Sequence, residues 1–277
     1  MANQHESGIA QHYAAYDVLA RIRDGLRAMG HDPDHIDPVV LKPVDEFHIG
    51  GAEATQALLG KLALRPGMDV LDIGCGIGGP ARAIANAIDV NVIGIDLTPP
   101  FVEAATALSA MSGMGERVRF EVASATSLPF AERCFDVATL LHVGMNIPDK
   151  AAVFREAERV LRPGGVFAVY DVMRTGETPL SYPVPWAETE DLSALEPPET
   201  YRNAAAEAGL VLEAEENRRA IALDFFARIR AQAATATPAP LGLHLLMGPT
   251  VGTKTANMIA AIEAEAIAPI QMIFRKG

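Results

Sequence analysis

The chain has 277 residues, of which 49% are hydrophobic, 21% charged and 6% aromatic, and its formal net charge is -12. That length buries one large core with room for a smaller attached lid. The acidic balance repels phosphate backbones, which argues against nucleic acid as a partner.

In chain order, the leading MANQHESGIAQHY is polar and lacks the apolar centre of a secretory signal, and no later apolar run reaches the length of a membrane span. The expectation is a cytoplasmic chain with no membrane partner. Residues 9–29 set Tyr13, Tyr16, Val18, Leu19, Ile22 and Leu26 at helical spacing, with Gly30 as the stop. A loop, HDPDHIDP, follows, and LKPVDEFHIGG then leads into a helix over 52–64. From Met68 the pattern alternates. Short β-branched or apolar runs predict strands at 69–73, 91–95, 118–122, 135–141 and 166–170, and helical spacing predicts helices at 80–88, 101–112 and 150–161. This order predicts an α/β fold: a Rossmann-like, doubly wound, mostly parallel sheet with helices on both faces. Residues 175–198 then hold five prolines, several acids and the only tryptophan, Trp186. Connections of that length in a compact domain are often lids. A helix (199–208), a strand (211–214), a helix (220–234), the apolar LHLLMG, a helix (253–266) and a strand (269–274) complete the chain. The expected organisation is one domain, 1–277: an N-terminal helical cover (1–64), a ligand-binding core (65–172), and a lid with C-terminal strands (173–277). The two cysteines, Cys75 and Cys134, have no disulfide or zinc spacing, and no metal site is expected.

The chemistry concentrates at VLDIGCGIGG, residues 70–79. An apolar strand runs into Gly74-x-Gly76-x-x-Gly79, a turn whose missing Cβ atoms let a ligand approach the backbone. Such turns occur in several cofactor classes. Asp96, about twenty residues further on at the end of NVIGID, is placed to accept hydrogen bonds from ribose hydroxyls. Asp72, just before the first glycine, begins to separate the classes: it would repel a pyrophosphate and attract a cationic ammonium. Hydrogen bonds from Asp72 to turn amides are a compatible second role.

VLDIGCGIGG, GIDLT, ATSLPF, CFDVATLLHVGMNIPDK and VLRPGGVFAVYD, in this order, resemble a class I S-adenosylmethionine-dependent methyltransferase over about 70–171. PVDEFHIGGAEAT extends the likeness to small-molecule enzymes such as those acting on phosphoethanolamine, on sarcosine and dimethylglycine, and on quinone precursors. The resemblance implies S-adenosyl-L-methionine as cofactor, with S-adenosyl-L-homocysteine as product. It sets Gly74, Cys75, Gly76 and Gly78 against the methionine part, Asp96 on the ribose and Leu97 on the adenine. Ala123-Ser124-Ala125 stands where the family has Gly-Asp-Ala, so an uncharged Ser124 replaces an aspartate that accepts from the adenine amino group. Leu141 and His142 end the fourth strand and face the sulfonium and the acceptor. His142 is a base, an acceptor ligand or a bond to the cofactor carboxylate. Phe47, His48 and Gly51 fold over the methionine part, while Asp45 and Glu46 read equally as solvated loop acids. Phosphoethanolamine enzymes carry a histidine at the position of Asn146, paired with a tyrosine that Tyr16 would match. Asn146 is no base, which points away from a phosphobase acceptor. Arg162-Pro163-Gly164-Gly165 reads as a turn without chemistry.

Methyl transfer from a sulfonium needs an aligned nucleophile and excluded water, and a base only where the acceptor loses a proton early. The candidates for that base are His48, His142 and Tyr16. Met145, Asn146 and Trp186 are the expected acceptor contacts, with Met173 and Met247 as pocket or core residues. Acids and aromatics around Trp186 suit a cationic amine, whereas PLGLHLLMG suits a prenyl or polyketide-like tail, and N, O and C acceptors all stay open. Trp186 reads equally as lid packing. Two other readings remain: a nicotinamide-dependent oxidoreductase, which leaves Asp72 unexplained, and a non-catalytic cofactor binder, favoured by Ser124 and Asn146. The expected partner is a small-molecule methyl acceptor, with a homodimer through the acidic, proline-rich lid as an option.

Overall fold

The computed structural model describes residues 6, 8, 17–233 and 239–277. Five apolar segments make the parallel part of its sheet: β1 (Asp69–Ile73), β2 (Asn91–Asp96), β3 (Val118–Val122), β4 (Phe135–Leu141) and β5 (Leu161–Arg174). Between them run α3 (Gly79–Ala87), α4 (Pro99–Met111) and α5 (Lys150–Val160), preceded by α1 (Val18–Ala28) and α2 (Gly51–Leu59). After β5 come α6 (Pro198–Ala208), β6 (Leu210–Asn217), α7 (Arg219–Ala233), α8 (Val251–Glu263) and β7 (Ile267–Lys276). The order across the sheet is β3-β2-β1-β4-β5-β7-β6, and β7 runs antiparallel to both its neighbours. The order reverses between β1 and β4, where ligands of open α/β sheets bind beyond the strands' carboxyl ends.

Apolar side chains cover both faces of the sheet. On one face Phe154 of α5 meets Phe167 and Phe274 edge-on at 5.2 and 5.3 Å, with Tyr201 of α6 beside them. On the other, Leu58 of α2 and Ile84 of α3 pack on Val70 and Val92. Asp17 and Asp149 cap α1 and α5 by accepting from the amides of Ala20 and Ala152, at 3.0 and 2.8 Å. No helix among the described residues is long and apolar enough to cross a membrane.

Several expected boundaries move; the last helix spans Val251–Glu263 rather than 253–266, and the last strand Ile267–Lys276 rather than 269–274. The predicted 52–64 helix ends at Leu59, because Gly60 follows, while Leu62 stays buried in the turn and Leu64 just after it. The strand predicted at 166–170 spans Leu161–Arg174, since pairing to β7 continues to Arg174. The strand predicted at 211–214 extends to Asn217 as a charged edge whose outer face is exposed, so alternation does not mark it. The first half of the predicted 9–29 helix, including Tyr16, lies outside the described residues. The RPGG segment is more than a turn: Arg162 donates to Asp136 and Asp69 at 2.6 and 2.9 Å and ties the lower ends of β4 and β1.

Candidate active site

A cavity of about 690 Å³ opens above the carboxyl ends of β1, β2 and β4. Its floor is the turn after β1. The amides of Gly74 and Cys75 donate to the Ile95 carbonyl at 2.8 and 2.9 Å, and the Gly76 amide donates to Asp96 Oδ2 at 2.9 Å. Gly74 has φ +73°, and a Cβ there would sit 2.3 Å from a methyl of Val143. Gly76, at φ +55°, faces open space, so its backbone is bare to a ligand. The other oxygen of Asp96 accepts from the Thr98 amide at 2.9 Å, and burial raises the Asp96 pKa. Each oxygen keeps lone-pair capacity for a further donor. Leu97 follows on the cavity wall.

Asp72 and Gly78 stand differently from expectation. Neither lines the cavity. Gly78 packs against Phe120 and Arg82, where a Cβ would come within 2.6 Å of the Phe120 ring. Asp72 lies beneath the turn, because strand alternation aims it across to β4. There the Thr139 hydroxyl donates to its Oδ1 at 2.7 Å, and among the described residues Oδ2 has no partner. Burial pushes its pKa up to about 7. Asp72 therefore makes no contact with the cavity.

The roof comes from residues 45–51. Asp45 and Glu46, open to reading as solvated acids, are both buried. Arg82 of α3, itself buried, donates to Asp45 Oδ1 at 2.6 Å, to the Ile77 carbonyl at 2.9 Å and to Ser109 of α4 at 3.1 Å. This one guanidinium ties the roof, the glycine turn and α4 together. Nothing in the sequence pattern singled it out. Gly79 makes the approach possible, since a Cβ there would meet the Asp45 carbonyl at 2.0 Å. Burial raises the Asp45 pKa to about 6 even with Arg82 opposing.

The two histidines meet under this roof, ring centroids 5.9 Å apart. His142 holds a left-handed backbone, φ +56°, rare for a residue with a Cβ and common at functional sites. Its Nδ1 lies 3.1 Å from the Tyr170 carbonyl, and its Nε2 accepts from the Ile49 amide at 3.2 Å. Both ring nitrogens are thus committed to backbone, with the proton on Nδ1. Tyr170 returns a hydroxyl to the Ile49 carbonyl at 3.0 Å. As arranged, His142 latches the roof to β4 and β5 and has no lone pair left for an acceptor proton. His48 differs. Its Nε2 is 3.1 Å from both the Gly51 carbonyl and the Thr55 hydroxyl, and that hydroxyl donates to Glu46 at 2.8 Å. Donation from Nε2 to Gly51 leaves Nδ1 as the lone-pair nitrogen of a ring on the cavity wall. Burial holds the pKa of His48 down to about 4 and that of His142 to about 3, so both rings are neutral at pH 7.

The wall formed by Ala123, Ser124 and Ala125 carries a residue the sequence did not point to. The Ser124 hydroxyl donates to Glu6 Oε1 at 2.6 Å, and both residues line the cavity. The charge absent at position 124 is supplied from the N-terminus.

The far wall holds Met145, Asn146, Trp186 and Met247, joined by Phe225, Phe226 and Met258. Met173 is in the core beneath. Trp186 is both lid packing and wall: it is buried, and its indole N–H donates to Ser193 at 3.0 Å. Leu141 closes the strand end. The loop carrying Met145 and Asn146 is pinned from below. The Tyr201 hydroxyl donates to Asp171 at 2.5 Å, and Lys150 donates to the carbonyls of Ile147 and Ala194 at 2.6 and 2.8 Å. Burial pushes the Asp171 carboxyl up and the Lys150 ammonium down. A Cβ on Gly144 would fall 2.1 Å from Asp171 Oδ2. Gly144→Ala is accordingly expected to cost about 1–3 kcal/mol by overpacking, read as a lower urea midpoint. Among the described residues no group of three or more His, Cys, Asp or Glu is arranged to hold a metal ion.

Comparison with known proteins gives this geometry a context. Residues 71–169 match the family described as "Methyltransferase domain". The sterol 24-C-methyltransferase of Yarrowia lipolytica is 35% identical over 139 residues, covering 50% of this chain and 36% of that protein. The 27-O-demethylrifamycin SV methyltransferase of Amycolatopsis mediterranei is 44% identical over 119 residues, covering 43% of this chain and 44% of that protein. The match thus spans less than half the length of either relative. A solved geranyl diphosphate C-methyltransferase from Streptomyces coelicolor superposes with a TM-score of 0.69 at 17% identity, covering 99% of this chain and 98% of that one, a likeness of fold alone.

Proposed function

From the match of residues 71–169 to the family described as "Methyltransferase domain", we propose that the chain is a class I S-adenosylmethionine-dependent methyltransferase that transfers a methyl group from S-adenosyl-L-methionine to a small organic acceptor, leaving S-adenosyl-L-homocysteine. The observation that carries this reading is the floor of the cavity: a bare glycine turn after β1, locked to Asp96 at the end of β2. The residues fit a cationic nucleoside. Gly76 offers open backbone, Asp96 offers acceptors for ribose hydroxyls, and Glu6 with Ser124 offers acceptors for an amino group on the base. The buried acid Asp72 favours a positive charge above the turn. A nicotinamide pyrophosphate would meet Asp96 and Glu46, above the buried Asp72, with no lysine or arginine among the described wall residues, and the relatives lend that alternative no support. The bound cofactor supplies an already activated methyl on a sulfonium.

What remains for the protein is placement, dryness and a proton sink. The roof at 45–49 and the far wall exclude water, and Asn146 with the neutral rings of His48 and His142 forms the polar rim near the end of β4. We assign His48 as the group that takes a proton from an acceptor that must lose one. Its Nδ1 receives, and Thr55 and Glu46 behind Nε2 stabilise the charge that results. A weak base suffices for a hydroxyl acceptor, because a methylated oxonium is strongly acidic. We place the chain in cytoplasmic small-molecule metabolism.

The test is incubation with methyl-labelled S-adenosyl-L-methionine and a panel of glycine derivatives, amines, phenols, quinols and prenyl compounds, with products read by mass. A labelled product is expected. Tight cofactor binding with no labelled product on any acceptor would favour a binding protein instead. Glu6→Gln is expected to weaken S-adenosyl-L-homocysteine binding about threefold to tenfold, the worth of a charge-assisted over a neutral hydrogen bond. The inosine analogue, which lacks the amino group, should not feel the change. Equal losses for both ligands in calorimetry would remove Glu6 from base recognition.

A further inference from the structure

The cavity is electrically divided. Most of its acids gather at the end above β1–β3 and under the roof; the exception, exposed Asp149 after β4, accepts from the Ala152 amide as the cap of α5. Asp96 holds the turn amides, Asp45 holds Arg82, Glu46 holds Thr55 and Glu6 holds Ser124. The other end is enclosed by Met145, Trp186, Phe225, Phe226, Met247 and Met258. Besides Asn146 at the rim and the Thr255 hydroxyl on the wall, the polar groups near this end are spent elsewhere. The Trp186 indole N–H goes to Ser193, and the Asn257 amide goes to the Pro183 carbonyl. Lys254, the one cation buried in α8, lies 2.5 Å from Glu188 and does not line the cavity. Two of the acids in the lid sequence thus serve as fastenings: Glu188 to Lys254, and Glu196, which accepts from the Thr200 hydroxyl at 3.1 Å. Among the described residues no lysine or arginine lines any part of the cavity. At its mouth Ile229 of α7 is 43% exposed and continues the apolar wall outward.

Building on the methyltransferase reading, we propose that the acceptor is an uncharged, largely apolar molecule whose body lies in the chamber formed by Trp186, Phe225, Phe226, Met247 and Met258. A charged head drawn into this chamber would lose its hydration and gain no partner. A phosphate or diphosphate finds no cation there. An ammonium finds aromatic faces in the chamber, while the acids are committed at the cofactor end or, in Asp149, held at the exposed rim as the cap of α5. An apolar body gains by leaving water over the whole wall, and Ile229 gives it an apolar doorway. The polar rim is also neutral at pH 7, since His48 and His142 are uncharged, so the reacting end of the acceptor needs no charge to be received. The nearby methionines, flexible and polarisable, suit a bulky shape.

The experiment uses one hydrocarbon chain with three heads: geraniol, geranylamine and geranyl diphosphate, the last with and without magnesium. Each is titrated against the full chain saturated with S-adenosyl-L-homocysteine, by displacement of the uncharged dye Nile red. Geraniol is expected to bind at least tenfold more tightly than either charged counterpart, with magnesium making no difference. Phe226→Asp should weaken geraniol at least tenfold while the Kd of S-adenosyl-L-homocysteine stays the same, which shows that the fold and cofactor end are intact. Equal or tighter binding of the amine or the diphosphate overturns the proposal, and so does failure of all three to displace the dye. Loss of S-adenosyl-L-homocysteine binding with geraniol binding retained would strike the cofactor reading instead and leave the chamber assignment standing.

Discussion

Arg82→Ala is expected to remove about 3–5 kcal/mol of stability, the usual cost of leaving one partner of a buried ion pair alone. Against the roughly 5–15 kcal/mol that holds a domain together, this is a large share. Arg82 is only 1% exposed and Asp45 7% exposed, so solvent cannot take over the lost bonds. The substitution strands three groups besides Asp45: the Ile77 carbonyl at 2.9 Å, the Ser109 hydroxyl at 3.1 Å and the Ala105 carbonyl at 3.3 Å. The Asp45 carboxyl, already raised to about 6, would rise further and bind a proton at neutral pH. That protonation caps the loss and makes it depend on pH, with the variant losing most at pH 8 and least near pH 5. Asp45→Asn combined with Arg82→Met should lose less than the sum of the two single changes, because neither buried charge is then left alone. Urea unfolding of the parent, Arg82→Ala, the two single variants of the cycle and the double variant at the two pH values measures all of this. A single-variant loss below about 1 kcal/mol would mean that the pair is solvated and the roof is held by something else. The effect should reach the cofactor too, since Arg82 anchors the carbonyl just past Gly76.

Arg82 also marks where sequence reading stops. The parallel strands and the helices between them are legible because each buries a continuous face, and the run from Val70 to Asp171 carries its motifs in a fixed order. Asp96 is legible because strand, turn and acid are tied by local spacing. The brace is not. Within GPARAIANA an arginine on a short amphipathic helix looks like a solvated one, and only the roof laid across Gly79 buries it. Asp45 and Glu46 look like loop acids for the same reason. Glu6 and Ser124 are 118 residues apart, beyond any periodicity. His142 is identifiable as a strand-end histidine, but the bonds that occupy both its nitrogens come from Ile49 and Tyr170, on two other segments. Local pattern yields the scaffold and the glycine floor. The roof and the far wall depend on pairings across the chain.

Asp72 shows a residue kept at the expense of the fold. Its carboxyl has a pKa near 3.8 when unfolded and about 7 when folded. Between those values the folded chain holds a proton that the unfolded chain has released, so stability falls as pH rises through this window, and the penalty is complete above about 7. Its size is on the order of a few kcal/mol. Asp72→Asn abolishes it, keeps an oxygen for the Thr139 hydroxyl, and adds two buried amide protons that cost about 1–3 kcal/mol if unmet. The variant is therefore expected to match or exceed the parent in stability at pH 8 and to fall below it at pH 5. Cofactor binding should move the other way. A cation above the turn favours the ionised carboxylate, so parent affinity should climb as pH rises towards 7, level off above it, and release a proton on binding at pH 6.5. Asp72→Asn should bind S-adenosyl-L-methionine at least tenfold more weakly at pH 8, with a flat pH profile and no proton released. Calorimetry in two buffers of different ionisation enthalpy counts that proton directly. Equal destabilisation at both pH values, with binding unchanged, would make Asp72 an ordinary turn ligand. A stability gain at pH 8 joined to a loss of binding would show that the buried charge serves the cofactor, and that the fold is more stable without it.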